Sequence, residues 1–600
     1  MFCHPGRRIL IFVVAAALVL VWLACHDTGK TESQTWIAPA TEAEKKIPFE
    51  DLSMHALKGK ELYQLHCSSC HGENGFGDGP AGGTDEIPPA NLHSGKVIQQ
   101  SDGALFWKLS SGRGMMPGFR ESLSDEQRWQ IIAFIRQLRS AEYARSTPKI
   151  LRGNLNIEQF LTTGPETNRL VFHKNSGSVI YTTFGGDVFV IADSAGRPNA
   201  LKILDKEKHH INRLQGAAIA GNNLFLAGNV DLENKKGTSG RMVKYILPEN
   251  FRDFIFDSTR LELVMKTVVY GSNKTIYDHG WNAIEVSPDG KYLYVNSGAR
   301  TDHGEVQDND GAYPNARENA LTAKIFRFPA GAKNLLLPDD AEWLRLQGFI
   351  FAEGIRNAYD MAFRKDELFA VVNSSDYDHP EDMFWIREGH HYGFPWIMGG
   401  IENPQQFPGW NPDPATDKFI SKTAHSWQMK YFRNDSSFPK PPEGVRFTPG
   451  VQNIGPDANE YRGHSGRVLD GDHTGVAVST FTPHCSPLGL LFDSEKQLPG
   501  EFKGDGFVIR NNYGGRSGMM RPFTRQGADL LQLNMRFDST TKNYVVRTER
   551  LADGFLEPAD ALLVGNDLYV LEFGGQKGSI WKIHFTGNET MLKKPGKKII

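Results

Sequence analysis

Six short segments of the sequence share one pattern, in which a turn rich in Gly, Asn and Asp adjoins alternating apolar residues. These segments are residues 179–191, 221–227, 288–295, 365–372, 504–509 and 565–571. The pattern predicts β-hairpins, because such turn residues tolerate a positive φ and alternate side chains of a strand point to one face. Hairpins repeated along residues 150–590 predict an all-β propeller of six blades with long inserted loops. A stack of β-sandwich domains is the alternative.

The region before the propeller, residues 52–142, has a helical pattern instead. Apolar residues at helical spacing predict one helix across residues 55–66 and a second across residues 124–138. Ser124 and Gln127 fit a capping box at the start of the second helix. A chain of 600 residues is also too long for one ordinary core. We therefore predict a small all-α domain followed by the propeller.

The helical domain contains the run Cys67-Ser-Ser-Cys70-His71. Two thiols at this spacing reach the two vinyl groups of a haem, and the histidine that follows binds the iron. A second iron ligand is then needed, and a methionine thioether at Met115 or Met116 is suited to that position. The pattern therefore predicts covalently bound haem c. A zinc site and a thioredoxin-like redox motif are the alternatives.

The N-terminus predicts an exported protein. Arg7 and Arg8 precede an uncharged apolar run that is short for a membrane span, so residues 1–25 are interpreted as a signal peptide. The run ends at Cys25 in a sequence that resembles a bacterial lipobox. Lipid on Cys25 would anchor the protein to the membrane, facing the periplasm; without lipid the protein is released, or the uncleaved run is the anchor. Polar residues 26–51 predict a linker.

Charge and cysteine content exclude several classes of protein. The net charge of −3, without a large basic block, argues against a nucleic-acid partner. With 23% charged and 40% hydrophobic residues, the composition is that of a globular protein. Of five cysteines, Cys3 and Cys25 belong to the targeting segment and two to the haem motif, which leaves only Cys485 and no disulfide framework. We interpret Cys485 as a small buried side chain, with a reactive thiol as the alternative.

Three loops of the predicted propeller carry residues suited to chemistry. His279 precedes a predicted strand pair, where a histidine can act as a general base, with a structural role as the alternative. Arg356 and Asn357 form a pair that could hold a carboxylate, or else a surface salt bridge. Residues 376–382 include four carboxylates, whose oxygens suit Ca²⁺; a solvated acidic turn is the alternative.

The helical domain resembles the class I cytochromes c throughout residues 52–142. In that family the second iron ligand is the methionine before a proline. The resemblance therefore implies that His71 and Met116 are the axial ligands, with Met115 as the alternative.

The segments of the propeller taken together resemble the PQQ-dependent soluble glucose dehydrogenase and sorbosone dehydrogenase family. Members are six-bladed propellers that hold pyrroloquinoline quinone (PQQ) and Ca²⁺ on one face. The resemblance implies His279 as the catalytic base, Arg356, Asn357, His484 and Arg516 as PQQ-binding residues, and Pro380, Asp382 and Tyr392 as calcium ligands. One departure concerns an aspartate that orients the catalytic histidine in some members, because Ala299 stands at the corresponding position.

Both resemblances together predict a haem c-containing quinoprotein dehydrogenase. The propeller would oxidise a sugar or alcohol at the PQQ and calcium site. The fused cytochrome would pass the electrons to a downstream redox protein or the respiratory chain. The alternative is an electron-transfer cytochrome c fused to a non-catalytic propeller that binds a ligand or a protein.

Overall fold

The computed structural model describes most of the chain outside its termini. The residues described are 36–49, 52–72, 75, 89–90, 92, 97, 100–113, 116–143, 147–194, 197–232, 236–273, 275–422, 424–476, 479–511, 523, 527–574 and 577–586. The predicted signal peptide lies outside them. Within these residues, no helix is long and apolar enough to cross a membrane. The chain divides into two compact units, residues 1–59 with 99–134, and residues 60–98 with 135–600.

The N-terminal part of the chain is helical, as predicted. Its helices are Ala40–Ala43, Leu52–His66, Ser68–His71, Asp102–Ser111 and Asp125–Tyr143. The capping box is confirmed: Ser124 Oγ accepts a hydrogen bond from Gln127 N at 3.2 Å, and Gln127 Oε1 accepts one from Ser124 N at 2.9 Å. Two of these helices cross closely at Gly59, where an added Cβ would lie 1.9 Å from Gln130 O.

The segment predicted as a linker is structured at its end. The short helix Ala40–Ala43 hydrogen-bonds to the residue that precedes the helix Asp102–Ser111, because Ser101 Oγ donates to Ala43 O at 2.5 Å. The Lys108 ammonium lies 4.9 Å from the centre of the Trp36 ring. This part of the predicted linker therefore packs against a helix, which its polar composition did not indicate.

The second unit contains the six-bladed propeller, which confirms the predicted fold class. Blade 1 comprises Thr167–His173, Ser178–Thr183, Val188–Ser194 and Arg197–Leu204; blade 2 comprises Arg213–Ala220, Asn223–Asp231, Gly237–Ile246 and Leu261–Thr267; blade 3 comprises Trp281–Val286, Tyr292–Ser297, Lys324–Pro329 and Ile350–Glu353. Blade 4 comprises Ala358–Arg364, Glu367–Val372 and Asp382–Ile386; blade 5 comprises Pro487–Phe492, Gly506–Arg510, Asp529–Asp538 and Asn543–Asp553; blade 6 comprises Pro558–Val564, Asp567–Glu572, Ser579–Phe585 and Leu155–Thr162.

Shorter strands and helices pair with these blades or lie in the loops around them. Lys149–Ile150 and Gln452–Pro456 pair with the outer strand of blade 5, and Tyr270–Gly271 and Leu335–Leu337 pair with strands of blade 2. Two small strand pairs, Ile397–Met398 with Ile401–Glu402 and Glu460–Arg462 with Val468–Asp470, lie in the loops around blades 4 and 5. The loop helices are Lys206–His209, Ala341–Leu346, His425–Gln428 and Gly471–Thr474, with 3₁₀ turns at Ser258–Arg260, Pro404–Gln406 and Gly500–Phe502.

Blade 6 closes the ring with strands from both ends of the propeller sequence. Its outer strand, Leu155–Thr162, precedes blade 1 in the chain and pairs antiparallel with Ser579–Phe585. Ile583 and Phe585, in that last strand, are fully buried in the core between blades 5 and 6. The ring is therefore joined by main-chain hydrogen bonds as well as by packing.

Neighbouring blades are also tied at the amino ends of their innermost strands. Each tie is a hydrogen bond from a buried polar side chain to the next blade or the segment that leads into it, and we call the set the interblade belt. Its members are Asn168 to Leu214 O, Gln215 to His279 O, Asn282 to Asn357 Oδ1, Asn373 to Pro487 O, Asn511 to Pro558 O and Thr167 to Glu572 O, at 2.6–3.1 Å. The amino ends of the innermost strands form one face of the propeller, called the amino-end face below.

Loss of one belt residue should destabilise the propeller. Asn168 donates to Leu214 O at 2.6 Å and accepts from Thr182 Oγ1 at 2.7 Å, and both partners would be left unsatisfied in Asn168→Ala. We expect the free energy of unfolding to fall by about 2–4 kcal/mol, measured by urea unfolding followed by tryptophan fluorescence. Lys174→Ala, on an exposed turn of the same blade, is the control and should change it by less than about 0.5 kcal/mol. Equal effects of both substitutions would contradict the role of the belt.

Candidate functional site

The haem motif lies on a short helix that begins directly after Cys67. The helix Ser68–His71 carries Cys70 and His71 on one turn. His71 Nδ1 donates to Ala90 O at 2.9 Å, which leaves Nε2 free to bind iron. Burial lowers the pKa of His71, so the imidazole is neutral, as a metal ligand must be. Both cysteines are free thiols. The residues of the motif therefore fit a covalently bound haem.

Met116 lies in a tight turn between two helices. Arg113 N donates to Met116 O at 2.9 Å, and Met116 N donates back to Arg113 O at 3.1 Å. The Met116 side chain is half-buried, and Met115 lies outside the described residues. The turn fixes the backbone at the position that the cytochrome c resemblance assigns to the second iron ligand. The axial pair of His71 and Met116 stays a prediction.

The propeller places His279 and Arg356 together on the amino-end face. His279 leads into the inner strand of blade 3, and Arg356 leads into that of blade 4. The two segments meet at Gly298, where an added Cβ would lie 2.6 Å from His279 Cβ and 3.1 Å from Asn357 Oδ1. Only glycine leaves room for this contact. Two segments that are far apart in the sequence are thus brought side by side.

A backbone carbonyl orients the His279 ring. His279 Nδ1 donates to Ala299 O at 2.8 Å, at the position where some members of the resembling family have an aspartate. With Nδ1 protonated, Nε2 is the unprotonated nitrogen and can accept a proton. Burial, with the positive charge of Arg356, lowers the pKa of His279 to about 3. The ring is therefore neutral at physiological pH.

Arg356 is already neutralised by a carboxylate of the chain. Its guanidinium donates to Asp302 Oδ1 at 2.8 Å, to Asp302 O at 2.7 Å and to Asn373 O at 3.0 Å. Burial opposes ionisation of Asp302, yet the hydrogen bond from His303 and the charge of Arg356 hold its pKa below the ordinary value. Arg356 is thus neither a surface salt bridge nor a free cation.

A long loop inserted between blades 4 and 5, residues 387–486, covers this ion pair. Ser426 Oγ donates to Asp302 Oδ2 at 2.8 Å, and Ser426 N donates to Asp376 Oδ2 at 2.8 Å. Tyr277 OH also donates to Asp376. Sequence reasoning did not identify Asp302, Tyr277 or Ser426 as part of the site. Only Asp302 gave a signal, as an acidic residue close to Ala299.

The same loop packs through its aromatic residues. Trp410 and Trp427 lie against the apolar cluster that contains Tyr377 and Phe432. Trp396 Nε1 donates to Pro439 O at 2.7 Å. These tryptophans are therefore packing residues of the loop.

His484 is paired with a carboxylate as well. Its Nε2 lies 2.7 Å from Asp378 Oδ1, while Arg462 Nε donates to Asp378 Oδ2 at 2.5 Å. Burial disfavours a positive charge on His484, but the Asp378 carboxylate raises the pKa of His484 above its ordinary value. Arg516, the fourth residue assigned to the quinone, lies outside the described residues. Neighbouring Cys485 is fully buried, and burial raises the pKa of its thiol, as expected for a packing residue.

The residues assigned to calcium do not present free oxygens to one point. The Asp382 carboxylate accepts from Gly399 N at 2.8 Å and from Ser479 Oγ, and burial raises its pKa to about 6. The Pro380 carbonyl accepts from Ser374 Oγ at 2.6 Å, and Tyr392 OH donates to Trp385 O at 2.7 Å. In the part of the chain that the structure describes, no cluster of three His, Cys, Asp or Glu residues is arranged to hold a metal.

The acidic loop therefore matches neither interpretation of its sequence, the calcium site or the solvated turn. All four carboxylates of residues 376–382 are buried, which is not the behaviour of a solvated turn. Each has partners within the chain, including Ser374 N, which donates to Glu381 Oε2 at 2.6 Å. The donor set, as arranged, does not fit Ca²⁺. The loop instead forms a buried polar junction beneath the inserted loop.

The helical domain and the propeller are similar to different known proteins. The family model described as "Cytochrome C oxidase, cbb3-type, subunit III" matches residues 55–135. No curated protein matches the sequence.

Solved structures match the propeller with low sequence identity. The pyranose dehydrogenase PQQ domain of Coprinopsis cinerea is 11% identical, covers 73% of this chain and 97% of its own, and gives a TM-score of 0.42. The soluble aldose sugar dehydrogenase of Escherichia coli is 14% identical, covers 72% of this chain and 100% of its own, and gives 0.43. The PQQ-bound aldose sugar dehydrogenase of Streptomyces coelicolor is 14% identical, with coverages of 72% and 99% and a TM-score of 0.39.

The haem motif, the free Nε2 of His71 and the family match agree with one another. Residues 55–135 form a cytochrome c domain, and the chain joins this domain to a six-bladed β-propeller.

Proposed function

We propose that the chain is a haem c-linked dehydrogenase that oxidises a hydroxylated small molecule, a sugar or an alcohol, at the amino-end face of its propeller. The observation that carries the proposal is the half-buried, neutral His279, whose Nε2 is available as a proton acceptor beside Arg356. Oxidation of one hydroxyl group to a carbonyl releases two electrons and two protons, and the haem, which takes one electron at a time, is reduced and reoxidised twice for each substrate molecule. The cytochrome c domain is then the outlet to a downstream redox protein or the respiratory chain.

The chain's own residues have distinct roles in this proposal. Ala299 O holds the His279 ring through Nδ1, so that Nε2 takes the proton of the substrate hydroxyl. Gln215 Nε2 donates to His279 O at 2.8 Å and fixes the backbone of the same residue. Asp302 and Arg356 supply a fixed pair of charges next to the imidazole.

PQQ and Ca²⁺ are the groups that the family resemblance implies between the substrate and the haem. PQQ carries three carboxylates and needs cations that are free to bind them. Arg356 and His484 are instead paired with Asp302 and Asp378, and the oxygens of Asp382 are hydrogen-bonded within the chain. The described residues therefore do not fit either group as they stand, and no step is assigned to them.

This pairing of charges favours a second candidate function. If Arg356 and His484 keep their carboxylate partners, the amino-end face has no cradle for an acidic quinone. The chain would then be an electron-transfer cytochrome c fused to a non-catalytic propeller that binds a ligand or a protein. Reduction of the haem by substrate distinguishes the two functions.

Export belongs to the same proposal. The N-terminal apolar run after Arg7 and Arg8 suits a signal peptide, and Cys25 suits a lipid anchor that holds the protein to the membrane, facing the periplasm.

His279→Ala tests the dehydrogenase directly. The purified haem protein, screened with aldoses and alcohols in the presence and absence of PQQ and Ca²⁺, should reduce its haem with at least one substrate. Because a general base is worth roughly 10²–10⁴ in rate, His279→Ala should slow haem reduction by that factor and leave the haem content unchanged. His209→Ala is a control at a buried histidine of the segment that leads into blade 2 and should keep the parent rate.

Two results would overturn the proposal. One is a haem that stays oxidised with every substrate in every cofactor condition, which favours the second candidate. The other is a His279→Ala protein that reduces its haem at the parent rate with saturating substrate.

Met116→Ala tests the axial pair of the cytochrome domain. Loss of the thioether should remove the weak red absorption band of a methionine–iron bond and lower the reduction potential, because methionine ligation raises it. Absorption spectra of the oxidised protein and a redox titration measure both effects. Met115→Ala is the matched control and should keep the band; the opposite outcome would assign the ligand to Met115.

His279 should also make folding stability depend on pH in one direction. Its pKa is about 3 in the folded protein and about 6.5 when unfolded, so the unfolded state binds more protons between these values. His279 therefore destabilises the fold increasingly as the pH falls from about 7 to 4. His279→Gln removes this effect, and urea unfolding should show the variant gaining stability relative to the parent over that window. A difference that does not vary with pH would contradict the neutral imidazole and its lowered pKa.

A further inference from the structure

The propeller contains a cavity at the end opposite to His279. It has a volume of about 670 Å³ and is lined by all six inner strands, beginning no earlier than the third residue of each strand and continuing towards the carboxyl ends. His279 and Arg356 instead precede the amino ends of these strands. Pockets for small molecules measure roughly 300–1,000 Å³, so this cavity is of a suitable size. It is distinct from the site of the proposed dehydrogenase.

Three carboxyl groups from different blades line the cavity. They belong to Glu285 of blade 3, Asp360 of blade 4 and Asp560 of blade 6. Asp360 Oδ2 accepts from Leu490 N and Asp560 Oδ2 accepts from Leu170 N, each at 2.7 Å, which fixes both carboxyl groups. Burial raises the pKa of Asp360 and of Asp560 above the ordinary value, and the charge of Asp360 raises that of Asp560 further. The cavity thus holds carboxyl groups that resist ionisation.

One arginine shares the cavity with these acids. Arg169 of blade 1 is 3% exposed and donates through Nε to Gln215 O at 2.6 Å and through Nη2 to Tyr359 O. Its Nη1 lies 3.7 Å from Asp360 Oδ1 and 4.0 Å from Asp560 Oδ1, beyond hydrogen-bond distance. Among the residues that the structure describes, Nη1 has no hydrogen-bond partner. A buried donor without an acceptor calls for an explanation, and a water or another occupant of the cavity that accepts the bond supplies one.

The chemistry of these groups restricts the occupant. Three carboxyl groups disfavour an anion, and an ammonium ion has no lone pair for Arg169 Nη1 to bond. Within the described chain, no three acidic or histidine side chains are close enough to hold a metal. A hydroxyl group both donates and accepts, so it can bridge a carboxyl oxygen and the guanidinium.

We propose that this cavity binds a neutral polyhydroxylated small molecule, a sugar or sugar alcohol, whose hydroxyl groups bridge Arg169 and the carboxyl groups of Glu285, Asp360 and Asp560.

Glu285→Met tests the proposal without removing a structural contact. Methionine is close to glutamate in size. Asp360 and Asp560 repel a negative charge on Glu285, and the substitution removes that repulsion. Calorimetric titration of the full haem-containing chain with D-glucose and with sorbitol should detect binding of at least one of them. Glu285→Met should weaken this binding at least tenfold. Glu207→Met, on the helix Lys206–His209 and outside the cavity lining, is the control that should bind as the parent does.

The results of this titration test the proposed binding cavity separately from the proposed dehydrogenase activity. Failure of the parent to bind either polyol, or equal binding by the parent and Glu285→Met, would overturn it, whether or not the haem is reduced. Methylammonium chloride is the third probe, and binding of it in place of the polyols would also overturn the assigned class. Thermal unfolding confirms that the variant is folded; if Glu285→Met does not fold, Glu285→Leu gives the same test.

Discussion

The interblade belt is the constraint on which the candidate site depends. A propeller holds its blades chiefly by packing of apolar faces, which leaves the rotation of each blade loosely defined. The belt adds buried hydrogen bonds at one end of the innermost strands, where an unmade bond is unfavourable. Two of its members are parts of the site, since Gln215 bonds to His279 O and Asn282 bonds to Asn357. The positions of His279 and Arg356 therefore follow from closure of the whole ring.

Much of the fold could be predicted because its signals are local. Each of the six hairpin segments found in the sequence contributes to a different blade, and the capping box at Ser124 forms as expected. Turn and capping signals depend on only a few neighbouring residues, so they can be recognised in the sequence without knowledge of the fold. The haem motif is of the same kind, with all of its attachment chemistry in Cys67, Cys70 and His71.

The partners within the site could not be predicted, because they are set by folding of distant segments. Asp302 precedes Arg356 by 54 residues, and Ser426 follows Asp302 by 124 residues. The acidic loop was expected to bind calcium or face water, and its burial depends on Arg462 and His484, which come from a later part of the insertion between blades 4 and 5. A carboxylate in the sequence does not show which cation will neutralise it. The orienting carbonyl of Ala299 carries no sequence signal at all, since every residue has one.

Closure of blade 6 has a consequence for biosynthesis. The strand Leu155–Thr162 leaves the ribosome before any other strand of the blades, whereas its partner Ser579–Phe585 is among the last. Until that partner arrives, the early strand has an unsatisfied edge, which other chains can pair with. Pairing across so long a stretch of sequence is also slow. The nascent protein therefore has a long interval in which this edge is open to pairing with other chains, and a chain that ends before residue 579 keeps the edge open.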